Sequence, residues 1–419
     1  RMVARQLDRV KGVIGPWGHH FPHRAMPEPA INWLHHCTRW FDRWLKGIEN
    51  DVMSDPPLRL FVTEPFVANG RSEGSREGRW IGIEPQVLEK APEMVLGLGE
   101  NGRLGANWSD GQIEINSPAS LGMAGGEFMP MGWGIDLPSE QRLDDALSVC
   151  FETEPLEEAI EVIGKPRLQL TLKSTKPSGF LVARLCDVAP NGASTRIAIG
   201  AYELSTRAGT QPHSPLSEDG KIQIEIELGG IAHRFEKGQR MRIALSNAYW
   251  PMMWPSNQED VITLFTNGAT LSLPTPTEFH SYSGFQQGDG CEPLSKTAIS
   301  SPVFERELIR DMPSGQAAYR ITDAAPRVQF DDHKIETWNA TTRVYRINEH
   351  QPTSAEMTIQ RDIEVSRGKW DVKTRIEATI ESDSNYYYSD VTLTAQLNGE
   401  AIVKRTFENK SPRFPNSTE

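Results

Sequence analysis

Ile222-Gln223-Ile224-Glu225-Ile226-Glu227-Leu228 alternates apolar and polar side chains without a break. Successive side chains of a strand point to opposite faces, so this pattern buries one face and wets the other only as a β-strand. Leu168-Gln169-Leu170-Thr171-Leu172 repeats it, and Phe180 to Leu185 and Met241 to Leu245 add further short strands. Helical spacing is absent from about residue 145 to 270. Many short strands separated by turn signals indicate a sandwich or jelly roll.

The pattern continues toward the C-terminus. Thr341 to Ile347, Glu356 to Val365, Trp370 to Ile380 and Tyr386 to Leu397 read as successive long strands, and Asn398-Gly399 is a strong two-residue hairpin signal leading into Ala401 to Phe407. A turn-rich stretch from Pro274 to Pro293 separates this block from the sandwich. An antiparallel meander or small sandwich is expected there.

The N-terminal side differs. Val13-Ile14 ends a short apolar run that Gly15-Pro16-Trp17-Gly18 punctuates. After Pro27 and Pro29, Trp33, Cys37, Trp40, Phe41, Trp44, Leu45 and Ile48 recur at three- and four-residue spacing, which predicts a helix lying on a core. Gly47 and Asn50-Asp51 stop it. Leu58 to Val62 reads as a strand, and residues 68–79, polar and glycine-rich, as an exposed loop.

The 419 residues suit two or three domains. Lys plus Arg is 44 and Asp plus Glu is 56, a net charge of 44 − 56 = −12, which argues against nucleic-acid or anionic-membrane partners. No window approaches the roughly 20 apolar residues of a membrane span. Cys37, Cys150, Cys186 and Cys291 are too scattered for a disulfide framework or a zinc site. They read as small buried hydrophobes and point mildly to a reducing, cytoplasmic setting. The chain opens Arg1-Met2-Val3-Ala4 and runs directly toward a buried strand, so it is expected to be the C-terminal part of a longer polypeptide.

Chemistry concentrates near the start, where His19, His20, His23, His35 and His36 are five of the ten histidines. His19 or His20 with His23 lacks a carboxylate or cysteine at ligand spacing, so no metal is expected. The other reading is one catalytic histidine on a loop after a strand, acting as general base and then general acid.

The wording of that loop adds to this. Ile14-Gly15-Pro16-Trp17-Gly18-His19, followed by Arg39-Trp40-Phe41-Asp42-Arg43-Trp44-Leu45-Lys46-Gly47, resembles the CocE/NonD serine hydrolases, the family of cocaine-esterase and X-Pro dipeptidyl-peptidase type. Gly164 to Leu168, Val182 to Gly192, Ala232 to Ile243 and Ser246 to Pro251 resemble that family's C-terminal jelly-roll domain. The resemblance implies a mainly β chain in which residues 1–85 are the end of an α/β-hydrolase domain and 86–275 a jelly-roll β-sandwich of galactose-binding-like type. Residues 290–419, which match no common part of the family, are expected to form an additional antiparallel β domain. It also implies that His19 is the catalytic base with His20 a bystander. The nucleophilic serine and the acid are expected upstream of residue 1, in the order Ser, Asp, His, which would leave this chain inactive by itself. The activity implied is hydrolysis of an ester or amide, acyl or X-Pro dipeptidyl, through an acyl-serine. The partner is a small ester, amide or short peptide, no cofactor is required, and nothing in the sequence speaks against a homo-oligomer. The alternative is a non-catalytic β-rich protein that binds carbohydrate or another ligand through exposed aromatic side chains.

Other candidates read more plainly. Gly70-Arg71-Ser72-Glu73-Gly74 matches Gly-x-Ser-x-Gly, but polar, glycine-broken sequence follows it where a nucleophile elbow needs a helix. His233 reads as organising a turn before a strand. The Tyr249 to Pro255 cluster reads as a domain-interface core, and Tyr386-Tyr387-Tyr388 as cross-strand packing. The sequons at Asn107, Asn339, Asn409 and Asn416 carry no weight without evidence of secretion.

Overall fold

The computed structural model describes residues 9–70, 74–106, 109–128, 136–176, 179–204, 220–288 and 294–413. Two antiparallel sheets enclose its largest core. One has the order Ser194–Glu203, Phe180–Val188, Arg240–Ser246, Val149–Glu152; the other Ile222–Glu227, Arg167–Ser174, Ile262–Pro274, Glu93–Leu98, Leu104–Gly105. The two alternating heptad-like runs are neighbours: Ile222 pairs with Leu172, Ile224 with Leu170 and Ile226 with Leu168. Their apolar members therefore share a face, and Phe151, Leu181, Leu185, Ile243 and Leu245 meet them from the facing sheet. Each fully buried aliphatic side chain of this kind contributes about 1.5–3 kcal/mol.

The outer face of the first sheet is also buried and mixes apolar groups such as Phe180 and Val182 with polar ones. Arg184, fully enclosed, donates to Gln141 Oε1 (2.8 Å) and Ser148 Oγ (2.8 Å) and lies 3.0 Å from Asp145 Oδ1. A guanidinium survives there because its donors meet acceptors in a fixed fork.

A third sheet gathers strands from distant parts of the chain, in the order His280–Ser281, Gly78–Ile83, Leu58–Thr63, Ile231–Phe235, Ile160–Gly164. Gly12–Ile14 runs parallel to Leu58–Thr63 as an additional member. The strand that leads into the histidine loop thus hangs on a sheet that also contains strands from inside the sandwich segment. Pro274 to Pro293, read as a turn-rich separator, instead returns to this sheet through His280–Ser281 as far as it is described. The stretch 68–79 also departs from expectation. Ala68 and Gly70 are buried, and a strand begins at Gly78; Ser72 lies outside the described residues.

The last sheet has nine strands. The long strands Ile335–Asn348, Gln351–Arg367, Trp370–Ser382, Tyr386–Leu397 and Glu400–Pro412 follow one another as the alternation predicts. Asn398 and Gly399 both have positive φ (53° and 84°), the two-residue geometry that Asn-Gly favours because neither residue is strongly penalised there. This sheet docks on the sandwich through Trp250, Met123 and Ala119 against Tyr319, Ile321, Tyr345 and Ile347. Beside that contact, buried Asp136 accepts from Arg306 Nε (3.1 Å) and from the Tyr319 hydroxyl (3.0 Å to each oxygen).

Candidate functional site

The histidine loop is held by its tryptophan. A Cβ on Gly15 would fall 2.4 Å from the Trp17 ring, so only glycine allows the indole to fold back across the chain. Trp17 Nε1 donates to Pro29 O (2.9 Å), its ring tilts against Trp80 at 5.8 Å, and Gly18 N donates to Met26 O (2.9 Å). His19 follows this anchored turn and is exposed. Among the described residues its imidazole has no hydrogen-bond or ion-pair partner. His20 is half-buried; burial first, and the neighbouring His19 second, hold its pKa below the ordinary histidine value.

The helix Trp33–Lys46 forms where the apolar spacing placed it, and Gly47 ends it with φ 69°. Its described side-chain partners lie in the connecting segments around Asp51–Asp55 and Phe285, reached by polar contacts and one imidazole. His36 is buried edge-on to Phe285 (5.0 Å), and its Nδ1 lies 3.3 Å from Arg39 Nη1. Burial, reinforced by Arg59, pushes its pKa down to about 4. Arg39 also reaches Asp51 (2.7 Å) and Asp55 (3.2 Å), while Asn32 and Gln286 exchange two hydrogen bonds. The apolar stripe is not covered as expected: Phe41, Trp44, Leu45 and Ile48 are exposed, as are Leu34 elsewhere on the helix and Ile14 and Phe21 beside the loop. Periodicity identifies which face of a helix is apolar, not whether a partner layer is in place.

Next to the loop lies a cleft of about 880 Å³, lined by Ile14 to Trp17 together with Thr63, Lys165, Arg167, Glu227 and His233 among others. His233 corrects the sequence reading. It stands within the strand Ile231–Phe235, fully buried, with Nε2 2.9 Å from Asp187 Oδ2 and Nδ1 2.8 Å from Thr63 Oγ1. No local pattern signals this grouping, because the three residues come from separate strands.

The aromatic cluster is an interface core. Tyr249 and Trp250 are 1% exposed, and Trp250 meets Trp254 (5.1 Å) and Tyr345 (6.0 Å) edge-on. It therefore offers no platform for a sugar. Tyr387 packs against Trp254 at 5.8 Å, while Tyr386 and Tyr388 lie on the other face beneath the Lys410 ammonium of the next strand. Cys37, Cys150 and Cys186 are free, and burial pushes the Cys150 thiol up to about 11 and that of Cys186 to about 12, which makes both unreactive. Cys291, Asn107 and Asn416 lie outside the described residues. Among the described residues no three His, Cys, Asp or Glu side chains converge as a metal site, and no helix is long and apolar enough to cross a membrane.

Comparison with known proteins places the greater part of the chain in a family. The model of the X-Pro dipeptidyl-peptidase C-terminal non-catalytic domain matches residues 50–282. Cocaine esterase of Rhodococcus sp. is 24% identical over 265 residues, which cover 57% of this chain and 44% of that protein. A solved α-amino acid ester hydrolase superposes with a TM-score of 0.50 at 17% identity, over 65% of this chain and 52% of that one. A CocE/NonD family hydrolase from Staphylococcus aureus gives a TM-score of 0.41 at 18% identity, over 58% and 45% of the two chains. The chain spans less than half the length of the cocaine esterase it matches.

Proposed function

Because the chain belongs to the family of the X-Pro dipeptidyl-peptidase C-terminal non-catalytic domain, we propose that it is the C-terminal portion of a CocE/NonD serine hydrolase with His19 as its catalytic base. The carrying observation is the Gly15–His19 loop, whose anchored Trp17 lines a cleft and is followed two residues on by an exposed imidazole with no partner among the described residues. On this reading residues 1–85 close an α/β-hydrolase domain, 86–275 form a jelly roll and 290–419 an additional β domain. The exposed face of Trp33–Lys46 is then where the rest of the catalytic domain packs.

His19 takes the proton of the upstream serine hydroxyl as its oxygen attacks the acyl carbon, and returns it to the departing alcohol or amine. It then removes a proton from water, whose oxygen attacks the acyl-serine, and passes that proton to the departing serine oxygen, releasing the acid and the free serine hydroxyl. An acidic residue upstream orients the imidazole. Substrates are small esters, amides or short peptides.

A fluorophosphonate probe tests this. The longer polypeptide should be labelled at a serine upstream of Arg1, with this chain unlabelled and labelling lost on substitution of that serine. His19→Ala should reduce acyl turnover by a factor on the order of 10⁴. An upstream reading frame without a Gly-x-Ser-x-Gly elbow, or near-normal turnover of the His19 variant, overturns the assignment.

A further inference from the structure

The strand Glu400–Pro412 ends the nine-stranded sheet, and among the described residues nothing pairs with its outer side. Almost every residue along it is exposed. Such an edge presents a row of free N–H and C=O groups, and its side-chain charges decide whether another strand is accepted.

Those charges are unbalanced within one copy. Glu408 lies directly opposite Asp390 on the neighbouring strand, and like charges in that position repel. Among the described residues neither carboxylate has a cationic partner. Lys404 and Arg405 likewise hold no ion pair, and Lys410 is engaged over the Tyr386 and Tyr388 rings at 3.8 and 5.4 Å.

We propose that Glu400–Pro412 pairs with the same strand of a second copy, antiparallel, about a two-fold axis at Thr406. An axis perpendicular to the sheet keeps each face on its own side, so opposed residues must have the same parity. Centred on Thr406, Lys404 lies opposite Glu408 of the second copy, and Glu408 opposite that copy's Lys404. Each cation then meets the carboxylate that lacks one. Arg405 falls opposite the exposed Phe407 ring, and Thr406 opposite its own counterpart. Moving the centre to Arg405 sets that guanidinium against itself, and moving it to Phe407 sets Lys404 against Lys410 twice. A register shift at Ala395/Gln396 marks a bulge near Ile402, which confines the paired stretch to about residues 403–409. The edge Val303–Asp311 is different. Centred on Glu307 it opposes that carboxylate to itself, and centred on Leu308 it opposes Arg306 to Arg310.

Sedimentation and light scattering of this chain across the micromolar range test the pairing. The wild type should weigh twice 46.9 kDa. Lys404→Glu and Glu408→Lys should each weaken the dimer at least tenfold, and the double exchange should restore it. Unchanged far-UV circular dichroism confirms that the exposed substitutions leave the fold intact. Thr406→Cys should give an oxidised dimer, since directly opposed Cα atoms about 4.5–5.5 Å apart lie within disulfide reach; Glu377→Cys should not. A wild type of 46.9 kDa at every concentration, a dimer indifferent to both single exchanges, or a double exchange that fails to restore it, each overturns the proposal.

Discussion

His233 Nε2 lies 2.9 Å from Asp187 Oδ2, with both side chains buried and each on a different sheet. The second carboxylate oxygen of Asp187 has no hydrogen-bond partner. The imidazole is thus the side chain that justifies a carboxylate at that depth, and its contact with Asp187 ties the sandwich to the sheet that carries the histidine loop, while Thr63 Oγ1 of that same sheet holds its other nitrogen.

His233→Leu should therefore cost about 3–5 kcal/mol, because it leaves a buried carboxylate uncompensated. Asp187→Asn, whose amide oxygen still accepts from the imidazole, should cost less, about 1–3 kcal/mol. Urea unfolding of the two variants checks the order. Equal losses, or none, would mean that water reaches the carboxylate.

His36 supplies a pH dependence with a definite sign. Its folded pKa of about 4 lies below the ordinary value of about 6.5. The unfolded chain therefore binds the proton first as pH falls. Its contribution is fully present above pH 6.5 and lost progressively down to about pH 4. Between pH 7 and 4.5 the wild type should lose on the order of 1–3 kcal/mol more than His36→Gln. Denaturant titrations at the two pH values measure the difference, and parallel losses would show that His36 is solvated.

At the contact between the sandwich and the nine-stranded sheet, the Tyr319 hydroxyl donates to both oxygens of buried Asp136, which otherwise has Arg306. Tyr319→Phe keeps the ring against Tyr345 and deletes only the donor. It should cost about 1–3 kcal/mol, seen as faster hydrogen exchange in Gln316–Ala324 with the sandwich strands unchanged.

What the sequence disclosed follows the range of the interaction. Period-two runs and Asn398-Gly399 specify structure within a few residues, and the strands and the turn formed there. The Trp-rich stripe specified a helix and the wrong degree of cover, because burial depends on a neighbour that periodicity does not encode. The Thr63, His233 and Asp187 grouping and the Asn32–Gln286 clasp each join residues far apart in the chain. Their registers arise from sheet assembly, and no short window contains them. The catalytic candidate was legible only as a resemblance of Gly15 to His19 to a family's loop, whereas what anchors the loop is local: Gly15 leaves room for the Trp17 ring, whose Nε1 donates to Pro29 O.

That locality makes Gly15 the sharpest probe of the loop. Alanine there would place a methyl carbon 2.4 Å from the Trp17 ring, far inside van der Waals contact, so the indole must move and its bond to Pro29 O must lengthen or break. Overpacking of this kind costs about 1–3 kcal/mol. Gly105→Ala, where the added carbon meets nothing within 4 Å, should change stability by less than about 0.5 kcal/mol. In the longer polypeptide Gly15→Ala should lower kcat more than it raises KM, because a displaced loop misplaces the His19 base while leaving the other cleft walls in place. Unaltered kcat, with amide exchange over residues 12–20 unchanged, would show that the loop accommodates the methyl group and that Trp17 does not position His19.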